Sequence, residues 1–414
     1  MFLPRSSSIE RWLLKKILAA TGNPPLRLAI KDGASVVPPD KQPVGTVLFQ
    51  DRITLLKTIS QPEIGFGDGY ADGKIAVEGD LVALLEGAYR YWPGPSAWGW
   101  LTRLKTGFEE RLRANSPRRS RSNVHHHYDL STDFYRHWLD RQLLYTCAYF
   151  PAPSATLEQA QIAKMDHVCR KLQLTPGETV AEAGCGWGAL ALHMAKHYGV
   201  RVKAFNLSHE QIVFARQQAR QQGLDDKVEF IEDDYRNISG RFDVFASIGM
   251  LEHVGLRRYA DLSRVIQRTL GKSGRGILHF IGRNVSAPLS PWITKRIFPG
   301  AYAPTLREAM TVLEPGNFSV LDIENLRLHY AKTLEHWLER FERTTSQISS
   351  LFDQRFARAW RLYLAGSLVA FRVGSLQLFQ VVFAGPEAAR IPWTRAHLYD
   401  SRQEQGPQWT HAMS

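Results

Sequence analysis

A chain of 414 residues holds one large domain or two, and 44% hydrophobic against 22% charged residues is an ordinary globular balance. The charge is less ordinary: 52 basic and 40 acidic residues leave +12, an excess that favours nucleic acid or an anionic membrane surface. Three cysteines (Cys147, Cys169, Cys185) share no metal-ligand spacing, and their odd number argues against a disulfide framework, so a reducing cytoplasm fits best. No apolar run reaches spanning length and no clean signal-peptide core is present, so any membrane is expected to be met from its surface.

In chain order, residues 1–115 are expected to form a small N-terminal α+β domain that associates with lipid. Ile9, Trp12, Leu13, Ile17 and Leu18, with Arg11, Lys15 and Lys16 between them, make a basic amphipathic helix. It suits a lipid surface or packing on its own domain. Strand-like pieces follow at 26–31, 46–49 and 53–60, then a glycine-rich turn at 65–69 and an apolar helix with Asp80 as its cap. Tyr89, Tyr91, Trp92, Trp98 and Trp100 crowd one stretch, which suits a membrane interface or a loop-rich core. Residues 116–122, inside a basic run from 111, read as a linker. His125, His126 and His127 are adjacent and point in different directions on any helix or strand, so no metal site is expected from them.

Residues 123–385 read as the catalytic unit and 386–414 as a C-terminal extension. A helix is expected over 129–139, an apolar aromatic loop or strand over 143–150 and an amphipathic helix over 157–172. At 179–183 an apolar run reads as a buried parallel strand. It breaks into Gly184-Cys185-Gly186-Trp187-Gly188 and then a helix over 189–198. Strand, glycine turn and helix form the first unit of a nucleotide-binding α/β fold, where absent side chains let a ligand approach the backbone. Further strands at 202–206, 228–232, 242–248 and 276–282, with a last pair at 318–324 and 376–383, alternate with helices at 210–222 and 258–270. Ser208 stands as a possible cap of the first of these helices. The alternation means a mostly parallel sheet with its ligands beyond the carboxyl ends of the strands. Helical insertions at 288–313 and 333–372 are expected to roof that crevice. The second carries Trp337, Phe341, Phe352, Phe356, Trp360, Tyr363 and Phe371, a stripe that suits a core or the wall of an acyl-chain tunnel.

From about residue 123 to 384 an ordered series of segments resembles one family. It includes His127-Tyr128-Asp129-Leu130, Tyr145-Thr146-Cys147-Ala148-Tyr149-Phe150, Gly184-Cys185-Gly186-Trp187-Gly188 and Gly249-Met250-Leu251-Glu252-His253-Val254-Gly255. Leu278-His279-Phe280-Ile281-Gly282 and His329-Tyr330-Ala331-Lys332-Thr333-Leu334 continue it. The chain is similar here to the S-adenosylmethionine-dependent cyclopropane-fatty-acyl-phospholipid synthases and their mycolic-acid relatives. Its N-terminal region looks like the extra domain of the phospholipid-acting members. The resemblance implies a class I methyltransferase Rossmann-like sheet with helical insertions over the site.

It also implies S-adenosylmethionine as cofactor. Tyr145 and Thr146 would reach its methionine end, and Glu182, Gly184, Cys185, Gly186 and Gly188 would wrap its centre. Asn206, Leu207, Ser208 and Gln211 would hold the ribose, and Asp234 with Tyr235 the adenine. The residues agree independently on one point: Asn206, not an acid, ends the second strand, where a dinucleotide fold places its ribose carboxylate. Departures from relatives include Ala181-Glu182-Ala183, which retains an acid, and Thr146, which retains a hydroxyl.

By the same resemblance, the reaction adds the cofactor's methyl carbon to a cis double bond of an unsaturated phospholipid acyl chain. A bound bicarbonate deprotonates the resulting cation and a cyclopropane closes. Cys147, Glu252, His279 and Tyr330, with the main chain of Ile281, would hold that anion. The types suit it, since histidine, phenol and N–H donate while a carboxylate accepts from the anion's own hydroxyl. Tyr149 and Phe150 are expected to soften the passing cation. The alternative is a methyl-branched or furan-precursor chain without ring closure. The expected partners are membrane phospholipids with an anionic surface and a second copy of the chain, at the inner face of the membrane. Nucleic acid is not expected, because no RNA-binding motif occurs and aromatics do not interleave with the basic run.

Overall fold

The computed structural model describes residues 5–91 and 130–399. The expected basic linker, the three adjacent histidines, Tyr128, Asp129, Trp92, Trp98, Trp100 and the last part of the C-terminal extension lie outside the described residues.

The N-terminal part is built on a four-stranded sheet ordered β2-β1-β3-β4, with β1 at Arg27–Ile30, β2 at Ser35–Val36, β3 at Thr46–Phe49 and β4 at Ile75–Glu78. The first helix, Arg5–Ala20, buries Leu14 and Leu18 and leaves Ile9 and Trp12 outside. Two expectations are corrected here. Residues 53–60 are not a strand but most of the helix Arg52–Ser60, which starts where the Asp51 carboxylate accepts the Thr54 N–H at 2.7 Å. Its buried residues, Thr54, Leu55 and Thr58, recur at helical rather than alternating spacing. The glycines at 65, 67 and 69 do not make a turn either; they lie within the helix Pro62–Ala71, with proline at its start. They are packing glycines. A Cβ at Gly65 would stand 2.6 Å from Thr58 Cα, and one at Gly67 would stand 2.4 Å from the Trp292 ring. Asp80 does cap the helix Leu81–Tyr91, accepting the Ala83 N–H at 2.6 Å.

The larger sheet has seven strands in the order β10-β11-β9-β8-β5-β6-β7. These are β5 Thr179–Ala183, β6 Arg201–Asn206, β7 Val228–Glu232, β8 Val244–Ile248, β9 Arg275–Gly282, β10 Ser319–Asn325 and β11 Gln377–Ala384. β5 to β9 pair in parallel, and β11 runs antiparallel between β9 and β10. Strand order reverses beside β5, and a crevice at the carboxyl ends follows from that reversal. The expected helix over 129–139 shrinks to Thr132–Arg136, because Ser131 caps it and the chain turns into an extended segment.

The insertions expected to roof the crevice fold as the short helices Pro291–Arg296 and Leu306–Met310 and the longer Arg327–Arg343, Thr345–Leu351 and Gln354–Arg372. The aromatic stripe is mostly core. Trp337, Phe341, Trp360 and Phe371 are buried; Trp337 and Trp360 join Phe134, Tyr135, Trp138 and Tyr145 in a web of rings, which Phe371 reaches through Tyr330. The N-terminal part packs directly on this roof. Arg358 donates to the Tyr70 carbonyl at 2.6 Å, Arg361 to the Tyr70 hydroxyl at 2.8 Å, and Arg296 clasps the Asp68 carboxylate at 2.9 and 2.6 Å. Among the described residues no helix is long and apolar enough to cross a membrane.

Candidate active site

At the end of β5 the backbone turns through Gly184, Gly186 and Gly188 at φ of +84°, +55° and +86°. Side chains rarely take these angles, so glycine is required by conformation. At Gly186 nothing would meet an added Cβ within 4 Å, and its backbone lies open to a cleft. Of the thirteen residues expected to bind the cofactor, all but Gly188 and Ser208 line this one cleft. Those two serve the scaffold. A Cβ at Gly188 would stand 2.5 Å from the Phe230 ring, and Ser208 caps the helix His209–Gln221 by accepting the Gln211 N–H. Neighbours in sequence therefore divide between lining the cleft and holding the lining in place.

The polar groups of the cleft are ordered among themselves. Asn206 donates to Gln211 Oε1 at 2.7 Å and to the Gly186 carbonyl at 3.3 Å. The Asp234 carboxylate accepts two bonds from the Arg236 guanidinium, at 2.7 and 2.9 Å. The Tyr145 hydroxyl meets that of Tyr363 at 2.8 Å, tying the cleft to the roof. Glu182 is buried, its Oε2 has no hydrogen-bond partner among the described residues, and burial pushes its carboxyl up to about 7. The set fits S-adenosylmethionine: open glycine backbone, an amide pair and an unsatisfied acceptor, while the lining cations among the described residues are Lys164 and Arg236, the latter engaged by Asp234, and form no phosphate cradle.

Sequence reasoning missed Lys164. It is 1% exposed, lines the cleft and donates to Thr146 Oγ1 at 3.0 Å. The signal was available, since position 164 falls on the apolar stripe of its helix with Leu157, Ala160, Met165 and Val168. His253, Phe298 and Pro299 also line the cleft without having been singled out.

None of the five residues expected to hold the base lines that cleft. The structure joins two of them directly: Glu252 Oε1 accepts the Ile281 N–H at 2.5 Å. Glu252 Oε2 has no partner among the described residues, and burial lifts this carboxyl to about 7. His279 lies two residues before Ile281, on the same face of β9. Burial, with Lys164 and Lys171 behind it, lowers its imidazole to about 3, so the ring is neutral. Gln380 Nε2 stands 3.0 Å from its Nδ1, and donation there leaves the ring proton on Nε2. Cys147, Tyr330 and the partly buried Ile281 share one apolar cluster. Burial pushes the Cys147 thiol well up, so it stays protonated. Tyr330 packs its ring 4.5 Å from Phe371. No hydrogen bond joins Cys147, His279 and Tyr330 to one another among those described.

The cation-softening role expected of Tyr149 does not suit its placement. Its ring stacks on His167 at 4.2 Å and on His329 at 4.8 Å, so it is engaged with imidazoles. His167 in turn meets Glu324 Oε2 at 2.7 Å, beside Lys171 at 2.6 Å. These partners hold the Glu324 carboxyl down to about 2 against burial. A carboxyl lowered from 4.5 adds stability above its unfolded value that is lost as pH falls from about 4.5 towards 2. Burial also lowers Lys171, which offsets part of that gain. Glu324→Gln is therefore expected to cost about 1–2 kcal/mol at pH 7 and roughly half of that or less at pH 3, read by urea unfolding at the two pH values.

The family model described as mycolic acid cyclopropane synthetase matches residues 115–381, and one described only as a domain of unknown function matches 13–92. A probable fatty acid methyltransferase of Pseudomonas putida is 35% identical over 393 residues, covering 91% of this chain and 96% of that protein. The cyclopropane-fatty-acyl-phospholipid synthase of Escherichia coli K12 is 40% identical over 259 residues, 62% of this chain and 66% of the relative. Among solved structures, the Mycobacterium tuberculosis cyclopropane synthase MmaA2 superposes with a TM-score of 0.61 at 31% identity, covering 64% of this chain and 98% of that one. The mycolic acid cyclopropane synthase CmaA1, complexed with S-adenosylhomocysteine, gives the same TM-score, identity and coverage.

Proposed function

This chain belongs to the mycolic acid cyclopropane synthetase family of S-adenosylmethionine-dependent methyltransferases, and from that premise we propose that it cyclopropanates unsaturated phospholipid acyl chains. The observation that carries the reading is the buried Glu252–Ile281 pair, with a spare carboxylate oxygen, two residues along β9 from a neutral histidine. When bound, S-adenosylmethionine supplies an electrophilic methyl carbon. The protein's own part is to line up, exclude water and take away a proton. Phe298 and Pro299 close one wall of the cleft, and Phe298 packs edge-on against Tyr363 of the aromatic stripe.

An alkene that gains a methyl group becomes a cation. Ring closure then needs one proton removed from the new methyl, whose C–H electron pair forms the third ring bond. We assign the setting for that removal to Glu252, His279, Cys147, Tyr330 and the Ile281 main chain. His279 Nε2–H donates and Glu252 Oε2 accepts, an arrangement suited to a bicarbonate ion. In the present geometry the Ile281 N–H is occupied by Glu252 itself, so a bound anion would have to share or exchange that bond.

A second reading has its own support, because the Pseudomonas putida relative, matched along most of this chain, is named a fatty acid methyltransferase. Methyl transfer would then end in a branch. We also propose that the protein works on an anionic bilayer surface. Ile9, Trp12, Ile53 and Leu56 are all exposed on two helices joined by the Glu10–Arg52 ion pair, with Arg11, Lys15, Lys16 and Lys57 around them.

The test incubates the purified protein with vesicles of cis-monounsaturated anionic phospholipid and methyl-labelled S-adenosylmethionine. A gain of one CH₂ in the lipid with loss of the alkene signal is expected. A surviving alkene or a branch would transfer the case to the second reading, and unlabelled lipid would sink both.

A further inference from the structure

Lys164 is a buried cation whose place in the cleft no motif accounts for. Among the described residues its ammonium makes one hydrogen bond, to Thr146 Oγ1 at 3.0 Å. An ammonium only donates, so that bond occupies a lone pair of the hydroxyl and leaves the hydroxyl's own proton free to point elsewhere. Both residues line the cleft, and so does Glu182, whose Oε2 lacks a partner. The amino-acid end of S-adenosylmethionine carries one carboxylate and one ammonium. The cleft therefore holds a donor pair and a separate spare acceptor that match those two charges in sign.

The charges around Lys164 are consistent with such a role. Burial lowers the Lys164 ammonium to about 8, and Asp140, Cys147, Glu182 and Cys169 are the groups whose interaction favours its charged form. Asp140 is already spent on the Gln142 and Leu144 N–H groups, each at 2.9 Å. Cys147 is held as a thiol. No carboxylate comes within ion-pair distance of Lys164 among the described residues. A buried ammonium without a paired anion is costly, and an incoming carboxylate would supply the missing counter-charge.

Resting on the reading that this cleft takes S-adenosylmethionine, we propose that Lys164 is a positioning residue for the cofactor's carboxylate. It acts through Thr146, turning that hydroxyl's proton towards the carboxylate and adding its own charge behind it, while Glu182 faces the cofactor's ammonium.

The test is calorimetric and needs no turnover. S-adenosylhomocysteine and its decarboxylated analogue are titrated into the full-length protein, Lys164→Met, Lys164→Arg and Thr146→Val. The wild type is expected to prefer the carboxylated ligand. Lys164→Met is expected to lose affinity for it on the order of 10- to 100-fold, with little change for the decarboxylated analogue. Lys164→Arg, which keeps charge and donors, recovers part of the loss. Thr146→Val produces a similar selective loss, and the double variant adds little to either. Equal losses for both ligands in Lys164→Met or in Thr146→Val would mean a merely structural lysine and overturn the proposal. Failure of the wild type to bind S-adenosylhomocysteine at all would instead remove the reading beneath it. Should Lys164→Met not fold, Thr146→Val alone decides by the same comparison.

Discussion

Glu252→Gln is expected to remove ring formation by roughly 10²- to 10⁴-fold while leaving S-adenosylhomocysteine affinity unchanged. The amide keeps an oxygen for the Ile281 N–H, so the local backbone stays satisfied. It cannot, however, serve as an anionic acceptor. The wild-type rate should climb through about pH 7, because burial raises this carboxyl to about 7 and only its ionised form accepts a proton or anchors an anion's hydroxyl. The same shift has an opposite consequence for stability. A carboxyl raised from 4.5 favours the fold while protonated, and that contribution is lost as pH rises through 7. The glutamine variant should therefore gain on the wild type between about pH 4.5 and pH 7, by up to about 3 kcal/mol on full burial. Activity and stability moving in opposite directions is hard to produce by simple misfolding. A variant that keeps normal product yield would show that Glu252 only pins the β9 backbone.

The catalytic part of the fold was legible because its signals are local and agree with one another. β5, β6, β7 and β9 were expected to within about a residue, from apolar runs bounded by glycine or caps. Ser208 and Asp80 cap their helices as their positions suggest. What failed was the N-terminal part, where the same signals mislead. The apolar Ile53-Thr54-Leu55-Leu56, with two β-branched residues, looks like a strand, but the Asp51 cap starts a helix that tertiary packing then rewards. Three alternating glycines look like a turn, yet they exist to let neighbours approach. That purpose is invisible until the neighbours, Thr58, Trp292 and Ile75, are known. The candidate site shows the same limit. The family resemblance pointed to the residues around the cleft but could not separate Gly188, which makes room for Phe230, from Gly186, which opens to a ligand. Lys164 was missed because a single lysine in an amphipathic helix usually belongs to the wet face.

Gly67→Val is expected to be among the most damaging single substitutions away from the site. A glycine in a helix ordinarily costs about 1 kcal/mol against alanine, so an open position would gain from a side chain. Here the Cβ alone would stand 2.4 Å from both Cδ1 and Nε1 of Trp292. Trp292 has little freedom to yield. It is 5% exposed, its Nε1 donates to Asp68 at 3.2 Å, and its helix is held by the Arg296–Asp68 pair. Two residues beyond Arg296 begin Phe298 and Pro299, which wall the cofactor cleft. Overpacking at Gly67 therefore pushes on the cleft through one short helix. We expect about 1–3 kcal/mol of lost stability and a roughly tenfold weaker hold on S-adenosylhomocysteine, measured by urea unfolding and calorimetry. Trp292→Ala vacates the space that the valine needs, so the two changes should couple, the double variant being more stable than the sum of single losses predicts. Strict additivity would mean that the N-terminal helix and the cleft wall relax independently. In that case the N-terminal part would be a passive attachment, whereas coupling makes it a brace for the wall of the cofactor cleft.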